Sequence, residues 1–340
     1  MPDITVYPEW TPTLSDFTFD PEIARRLPPA LAFRYLAIPV AEERGRVTVL
    51  IADPYNQQAV AEIAAALPHH PYLVKSDPAM ITNLLQQTWP EETQPTILRL
   101  LVATPPGPIA APFRAYVQRL GNLLHSQIIY LPLPENAAAL DTLSQSTNQQ
   151  TDLVALQEPT RSWLTQFLHG SLAQQAIRHI PTSILLARQP RWPLRRLLLI
   201  IHGDEREEAI LSWVLRLAQP VKAEITLLAV TPAHPWLYNR EGRALQGLAA
   251  LLEPDTLLTQ QARQMAQQIT QAGLQGELRL RQGPPAAQIR QEIAACDPDL
   301  ILTCGRADET GHWFSDFILS SHHWLDRPVL LVRSGESPGN

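Results

Sequence analysis

The chain alternates between short runs that are apolar at every position and longer stretches whose apolar residues recur with helical spacing. Continuously apolar runs predict strands buried on both faces, and such strands are typical of parallel sheets covered by helices. From residue 97 onward the predicted strands are Ile97–Ala103, Gln127–Leu131, Asp152–Leu156, Ser183–Arg188, Leu197–His202, Glu224–Val230, Glu277–Arg281, Leu300–Cys304 and Val329–Arg333. The predicted helices between them include Ala110–His125, Ser162–His179, Glu205–Ala218, Asp255–Ala272, Pro285–Ala295 and Phe314–Leu325. The pattern therefore predicts an α/β fold.

The first part of the chain has shorter elements. PEIARRLPPALAFRYL predicts two short helices around a proline break, and LAIPVAEERGRVTVLIADP predicts two strands joined by a turn that contains Gly45. A helix over Gln57–Ala66 with Asn56 as its N-cap, a strand at His70–Lys75 and a helix from Pro78 to Trp89 follow. We expect a small α/β module at 21–92, preceded by an extended arm at 1–20.

Two proline-rich joints, WPEETQP at 89–95 and QPRWP at 189–193, divide the rest of the chain. They predict one domain at 95–190 and a second at 193–335. The stretch LHGSLAQQAIRHIPTSILLAR (168–188) has a counterpart in WFSDFILSSHHWLDRPVLLVR (313–333), each a helix-length segment followed by an apolar strand ending in arginine. This similarity indicates a duplicated domain.

The composition of the chain excludes several classes of function. The 340 residues carry a formal net charge of −6, which argues against a nucleic-acid-binding surface. Two cysteines, Cys296 and Cys304, are too few for a disulfide framework and lack zinc-site spacing, which favours a reducing cytoplasm. The N-terminus shows no signal-peptide pattern, and no apolar run is long enough to cross a bilayer. We therefore expect a cytoplasmic protein without direct membrane insertion.

The third block resembles a universal stress protein domain. The resemblance rests on LLLIIHGDEREEAILSWVLRLA, AEITLLAV, GPPAAQIRQEIAACDPDLILTCGR and RPVLLVR, in that order. The second block is similar to a shortened member of the same family, through DLVAL and GSLAQQAIRHIPTSILLAR. The resemblance implies two doubly wound sheets of order 3-2-1-4-5. The first domain is expected to be abbreviated, because the interval between Leu131 and Asp152 has room for only a short helix.

The first block resembles the N-terminal subdomain of type II secretion and type IV pilus assembly ATPases, through LPPALAFRYLAIPV and RGRVTVLIADPYNQQAVAEI. In some relatives an upstream arginine–leucine–glycine motif binds cyclic di-GMP, but the residues before Pro21 contain no such motif. The chain also has no Walker motif. Neither cyclic di-GMP binding nor the ATPase activity is therefore expected here.

In ATP-binding universal stress domains, the pattern G-x2-G-x9-G-(S/T) follows the fourth strand and holds the phosphates on backbone N–H groups. Both blocks depart from it. The third block keeps a glycine after strand four but has Ser315-Asp316 at the end, where Asp316 would repel phosphate. The resemblance implies a degenerate nucleotide site, for ATP or AMP, at His202, Gly203, Gly283, Gly305 and Arg306.

The second block retains only the last element of the pattern, Gly170-Ser171. This pair is either a vestigial phosphate site or, as the simpler alternative, a helix N-cap at Ser171. Gly283 likewise has a simpler explanation, because the strand-to-helix turn requires a glycine-like conformation.

The sequence predicts neither a metal site nor catalysis. His312, His322 and His323 could be grouped with His202, but adjacent histidines of a helix point in different directions, and no carboxylate or cysteine completes the set. No spacing brings a nucleophile to a base. The apolar residues Trp213 and Met265 are expected in the core.

We therefore expect a non-enzymatic stress-response or signalling protein that senses an adenine nucleotide. The alternative is a protein-interaction scaffold that binds no nucleotide. Either role implies a protein partner, which the sequence does not identify. The strands Ser183–Arg188 and Val329–Arg333 are expected to pair, forming an internal pseudo-dimer, and a homo-oligomer is left open.

Overall fold

The computed structural model describes residues 19–43, 45–67, 71–90, 97–104, 109–134, 138–147, 151–157, 172–201, 207–231, 257–304 and 325–333. The chain forms two compact units. One takes its residues from 1–100 and 118–129, and the other from 101–117 and 130–340. The expected three-domain division at 21–92, 95–190 and 193–335 stays a prediction.

The N-terminal module is a three-stranded sheet with four helices. Its elements are α1 (Pro21–Ala24), α2 (Pro29–Tyr35), β1 (Ala37–Glu43), β2 (Arg46–Ile51), α3 (Gln57–Ala66), β3 (Tyr72–Lys75) and α4 (Pro78–Thr88). The sheet order is β1-β2-β3, with β1 and β2 antiparallel and β2 and β3 parallel. The predicted elements of this module are therefore present, in the predicted order.

Local chemistry explains where these elements begin and turn. The Asn56 side chain accepts a hydrogen bond of 3.2 Å from the N–H of Ala59, which makes Asn56 the predicted N-cap of α3. Pro78 opens α4. Gly45, in the turn between β1 and β2, has φ of +77°, a conformation that glycine adopts without a Cβ penalty.

The remaining strands form one nine-stranded sheet. In chain order they are β4 (Arg99–Thr104), β5 (Gln127–Pro132), β6 (Leu153–Gln157), β7 (Ser183–Ala187), β8 (Arg196–Ile201), β9 (Glu224–Thr231), β10 (Gly276–Gln282), β11 (Leu300–Cys304) and β12 (Val329–Val332). The helices between them are α5 (Ala111–Leu123), α6 (Ala138–Thr147), α7 (Leu172–His179), α8 (Glu207–Ala218), α9 (Leu257–Gln271) and α10 (Pro285–Cys296). The order across the sheet is β10-β9-β8-β11-β12-β7-β6-β4-β5.

One half of the sheet has the complete predicted topology. Strands β8 to β12, numbered from one to five, occur in the order 3-2-1-4-5. The pairs β10–β9, β9–β8, β8–β11 and β11–β12 are all parallel. Strands β8, β11 and β12 are buried along nearly their whole length, as their continuous apolar sequences predict. The edge strand β10 is partly exposed instead, and its sequence alternates charged and apolar residues. Trp213 and Met265 are buried in this half, which confirms their prediction as core residues.

The other half is shorter. Its strands occur in the order β5-β4-β6-β7, which corresponds to 2-1-4-5. The only element described between β5 and β6 is the ten-residue helix α6. The prediction of a short helix in this interval is therefore confirmed.

The two halves join through their last strands. β12 pairs antiparallel with β7, in a register that places Leu330 opposite Leu185 and Leu331 opposite Ile184. The N–H of Arg333 donates to the Ser183 hydroxyl at 3.1 Å just beyond the ladder. The predicted pairing of these two strands is confirmed, and it makes the sheet continuous.

Candidate functional site

The middle of the complete half contains a reversal of strand order. β8 and β11 are parallel neighbours, with Ile200 opposite Thr303. From β8 the chain continues to β9 on one side, whereas from β11 it continues to β12 on the other. Where neighbouring strands send the chain in opposite directions, their carboxyl ends leave a crevice, the usual ligand position in open α/β sheets. This topology makes the ends of β8 and β11 the candidate site.

The described residues at this edge are neutral. Ile201 ends β8, and Thr303 and Cys304 end β11; all three are buried. The ends of β8 and β11 therefore contribute no charge themselves, and the segments that follow them carry the predicted site residues. Those segments contain His202 and Gly203 after β8, and Gly305 and Arg306 after β11. These four predicted residues lie outside the described residues, although the strands leading to them are adjacent.

Gly283 lies at a different strand. It follows β10, which β9 separates from β8, and two inter-strand spacings amount to about 10 Å. Its φ is +135°, and a Cβ there would lie 3.0 Å from Nε2 of Gln288. The turn into α10, which has Pro285 in its first turn, accounts for this glycine. The structure does not place Gly283 at the ends of β8 and β11, and its ligand role stays a prediction.

The shortened half has a similar reversal between β4 and β6, which are neighbours in the sheet. Thr104 ends β4 and donates its hydroxyl to the carbonyl of Leu131 at 3.3 Å. Gly170 and Ser171, the predicted vestigial phosphate residues, lie outside the described residues. Their N-cap and phosphate interpretations both stay predictions.

A charge cluster that the sequence did not reveal lies at the amino ends of β8 and β11, on the side of the sheet opposite the candidate site. We call it the amino-end cluster: Arg191, Arg196, Asp297, Asp299 and Arg327. The Asp297 carboxylate accepts hydrogen bonds from Arg191 at 2.8 Å, Arg196 at 2.9 Å and Arg327 at 2.6 Å. Asp299 accepts from the backbone N–H groups of residues 195 and 196, at 2.8 and 3.0 Å. The cluster therefore fastens the 189–196 segment to the start of β11.

These contacts determine the charge states. Hydrogen bonds from Arg327, Arg191 and Arg196 hold the pKa of Asp297 well below its usual range. Burial opposes the charge of Arg327, but Asp297 and Asp326 outweigh it and raise its pKa. Nearby, the ring of Tyr116 meets that of Trp192 edge-on at 6.2 Å, and burial, together with the Asp299 charge, raises the Tyr116 pKa. The arrangement holds the 189–196 segment in place against the start of β11.

A second charge cluster lies at the edge strand β10. Glu292 on α10 is fully buried and accepts hydrogen bonds from Arg279 and, at 3.0 and 3.2 Å, from Arg281. Arg279 also donates to Glu277 at 2.8 Å. A signal for this cluster was present in the sequence, because Glu292 falls at helical spacing between the buried Ile289 and Ile293.

A metal site and a membrane-spanning helix are both absent from the described ranges. No group of histidine, cysteine or acidic residues there could hold a metal ion. Among the same residues, no helix is long and apolar enough to cross a membrane.

Two family models match parts of the chain. The MshEN domain model, which describes a type of N-terminal domain related to secretion and pilus systems, matches residues 11–94. The model of the universal stress protein family matches residues 193–324. Both resemblances are therefore supported for these segments. The match of a single universal stress domain does not show the tandem arrangement expected from the sequence.

The solved structures that match are remote in sequence, and no curated protein matches the chain. A universal stress protein from Archaeoglobus fulgidus DSM 4304 superposes with a TM-score of 0.46 at 12% identity, covering 66% of this chain and 75% of that one. A functionally unknown protein from Pseudomonas aeruginosa PAO1 gives 0.45 at 14% identity, with 75% and 87% covered. A universal stress protein in complex with cAMP gives 0.31 at 14% identity, with 42% and 98% covered.

Proposed function

We propose that the chain is a non-enzymatic regulatory protein whose complete half binds an adenine nucleotide at the carboxyl ends of β8 and β11. One observation carries the proposal, namely the reversal of strand order between these two parallel neighbours. The universal stress model spans this part of the chain, residues 193–324, which supports the same function class.

The proposed ligand is ATP or AMP, held by a degenerate phosphate site. His202 and Gly203 follow one strand of the crevice, and Gly305 and Arg306 follow the other. Arg306 would supply the positive charge, because the described ends of both strands are neutral. Asp316 at the position of the usual phosphate hydroxyl favours a ligand with fewer phosphates, so AMP should compete well with ATP.

The proposal includes a duplicated origin for the nine-stranded sheet. The orders 3-2-1-4-5 and 2-1-4-5 differ by one strand, and the two halves meet through equivalent last strands. The chain would thus be an internal pseudo-dimer of two universal-stress-type domains at 95–190 and 193–335. Cys296 and Cys304 are not joined in a disulfide, which is compatible with the proposed cytoplasmic location.

Titration calorimetry of the full chain with ATP and with AMP tests the proposed site. We expect saturable binding at millimolar or lower ligand concentration, weakened about tenfold or more in Arg306→Ala through loss of a charge-assisted hydrogen bond. Arg216→Ala is the matched control, because Arg216 is an exposed arginine in the last turn of α8. Equal affinities of the two variants would remove Arg306 from the site. No heat with either nucleotide would leave the scaffold alternative as the better account.

A further inference from the structure

The N-terminal module has a face that is occupied by another part of the same compact unit. That part is the segment Gln118–Gln127, which comprises the last turns of α5 and the first residue of β5, and which we call the α5 end. The predicted linker at 89–95, the strand β4 and the first turns of α5 separate this segment from the module in the sequence. Hydrogen bonds from charged and amide side chains connect the face to the α5 end, and they indicate which kind of group the face binds.

Arg34 of α2 is at the centre of these contacts. Its side chain is 9% exposed, although it carries a full charge. One guanidinium nitrogen donates to the Glu62 carboxylate of α3 at 3.3 Å, and another donates to the backbone carbonyl of Asn122 at 3.1 Å. The guanidinium carbon also lies 4.7 Å from the centre of the Tyr35 ring. Glu62 and Tyr35 thus hold the guanidinium in the module while it reaches the α5 end.

The carbonyl of Asn122 is an appropriate acceptor because α5 ends there. The N–H of Ser126 donates to Gly121 and that of His125 to Asn122, and His125 has φ of +52°. This is a Schellman ending, in which the last carbonyls point along the helix axis and carry a partial negative charge. A buried guanidinium is the complementary partner for such an ending.

Two further hydrogen bonds flank Arg34. Gln118 donates its side-chain N–H to the Asp53 carboxylate at 3.0 Å. Gln127 donates to the carbonyl of Phe33 at 2.8 Å. The α5 end therefore contacts the module at both of its limits as well as at its centre, which fixes the orientation of the segment on the face.

The Arg34–Glu62 pair is stabilised mainly by groups of the module itself. Burial opposes ionisation of Glu62, but hydrogen bonding from Gln58 and the charge of Arg34 outweigh it and lower the Glu62 pKa. His125 of the α5 end contributes in the same direction. Removing the α5 end would expose Arg34 to water but leave it held by Glu62, so the face would present a cation ready for another acceptor.

We propose that the α2–α3 face of the module is a binding surface for the carboxyl end of a helix, and that the α5 end occupies it in cis. Within this compact unit, the face is then already filled by the chain's own α5 end. A protein partner of this chain has to bind elsewhere on the module, or has to displace α5 with a helix ending of the same kind.

Hydrogen exchange of the full chain, followed by mass spectrometry, tests this inference. In Arg34→Ala we expect amide exchange over residues 118–127 to rise about tenfold or more, because the segment loses its central contact. Arg34→Lys should give a smaller rise, since an ammonium donates to one acceptor where the guanidinium spans two. Arg26→Ala is the matched control, because Arg26 pairs with Glu42 in the same module and should leave 118–127 unchanged.

A second variant tests the same contacts without changing the module, so that its result does not depend on whether an altered module still folds. Gln118→Ala combined with Gln127→Ala deletes both flanking contacts from the α5 end and touches no residue of the module core. We expect faster exchange around Asp53 and Phe33 as well as over 118–127. Unchanged exchange over 118–127 in Arg34→Ala would overturn the proposal. Unchanged amide exchange around Asp53 and Phe33 in the double variant would also overturn it.

Discussion

Replacing Glu292 by alanine removes the carboxylate that two arginines of the edge strand share. Glu292 is fully buried, and Arg279 and Arg281 direct three N–H groups at its two oxygens. Deleting one partner of a buried ion pair leaves charge without compensation and typically costs about 3–5 kcal/mol. Arg279 and Arg281 here keep 28% and 33% of their side-chain exposure, so they can turn partly towards water. We therefore expect a loss of about 2–3 kcal/mol in the free energy of unfolding.

The matched control is Glu277→Ala. It also removes a carboxylate partner from Arg279, but Glu277 is 63% exposed and its ion pair lies in solvent. Exposed pairs contribute little, so this variant should unfold close to the wild type. Urea unfolding followed by far-ultraviolet circular dichroism measures both. If Glu292→Ala is no less stable than Glu277→Ala, the buried cluster does not stabilise the edge of the sheet.

Three further outcomes are expected. Burial and the charge of Glu292 raise the pKa of the Cys296 thiol to about 11. In a Cys304→Ala background, iodoacetamide should therefore alkylate Cys296 at pH 8 about tenfold or more slower than a small-molecule thiol, and the rate should rise towards pH 11. Alkylation at pH 8 as fast as that of the small-molecule thiol would contradict this environment. Leu330→Ala at the β7–β12 junction should lower the free energy of unfolding by about 2–4 kcal/mol, because Leu330 is only 2% exposed. A loss of stability no larger than that of an alanine substitution at an exposed position would show that the junction is not packed as described. Gly283→Ala should cost about 1–3 kcal/mol because of its positive φ, and an unchanged melting temperature would show that the turn is not constrained.

The sequence predicted the elements of the fold because short-range chemistry determines them. Continuous apolar runs identified β8 and β11, and the asparagine at position 56 identified the start of α3. The pairing of β7 with β12 was predictable from a resemblance between two distant segments, since a duplicated domain brings equivalent edges together.

The charge clusters could not be predicted in the same way. Arg191 and Asp297 are 106 residues apart, and only the folded sheet brings them within 2.8 Å. The docking of α5 on the module depends similarly on Arg34 and Asn122, which are 88 residues apart. Glu292 is an intermediate case, because a charged residue on the apolar face of a helix indicates a buried partner without identifying it. The candidate site was predictable as a position in the topology, whereas the residues proposed to contact the ligand follow β8 and β11 and lie outside the described residues.

The central claim is that a nucleotide binds at the carboxyl ends of β8 and β11. Hydrogen exchange of the full chain with and without saturating ATP tests it most directly. We predict slower exchange at the ends of these two strands, around residues 200–201 and 303–304, and no change at the ends of β4 and β6. Protection at β4 and β6 instead, or no protection anywhere in the sheet, would contradict the account.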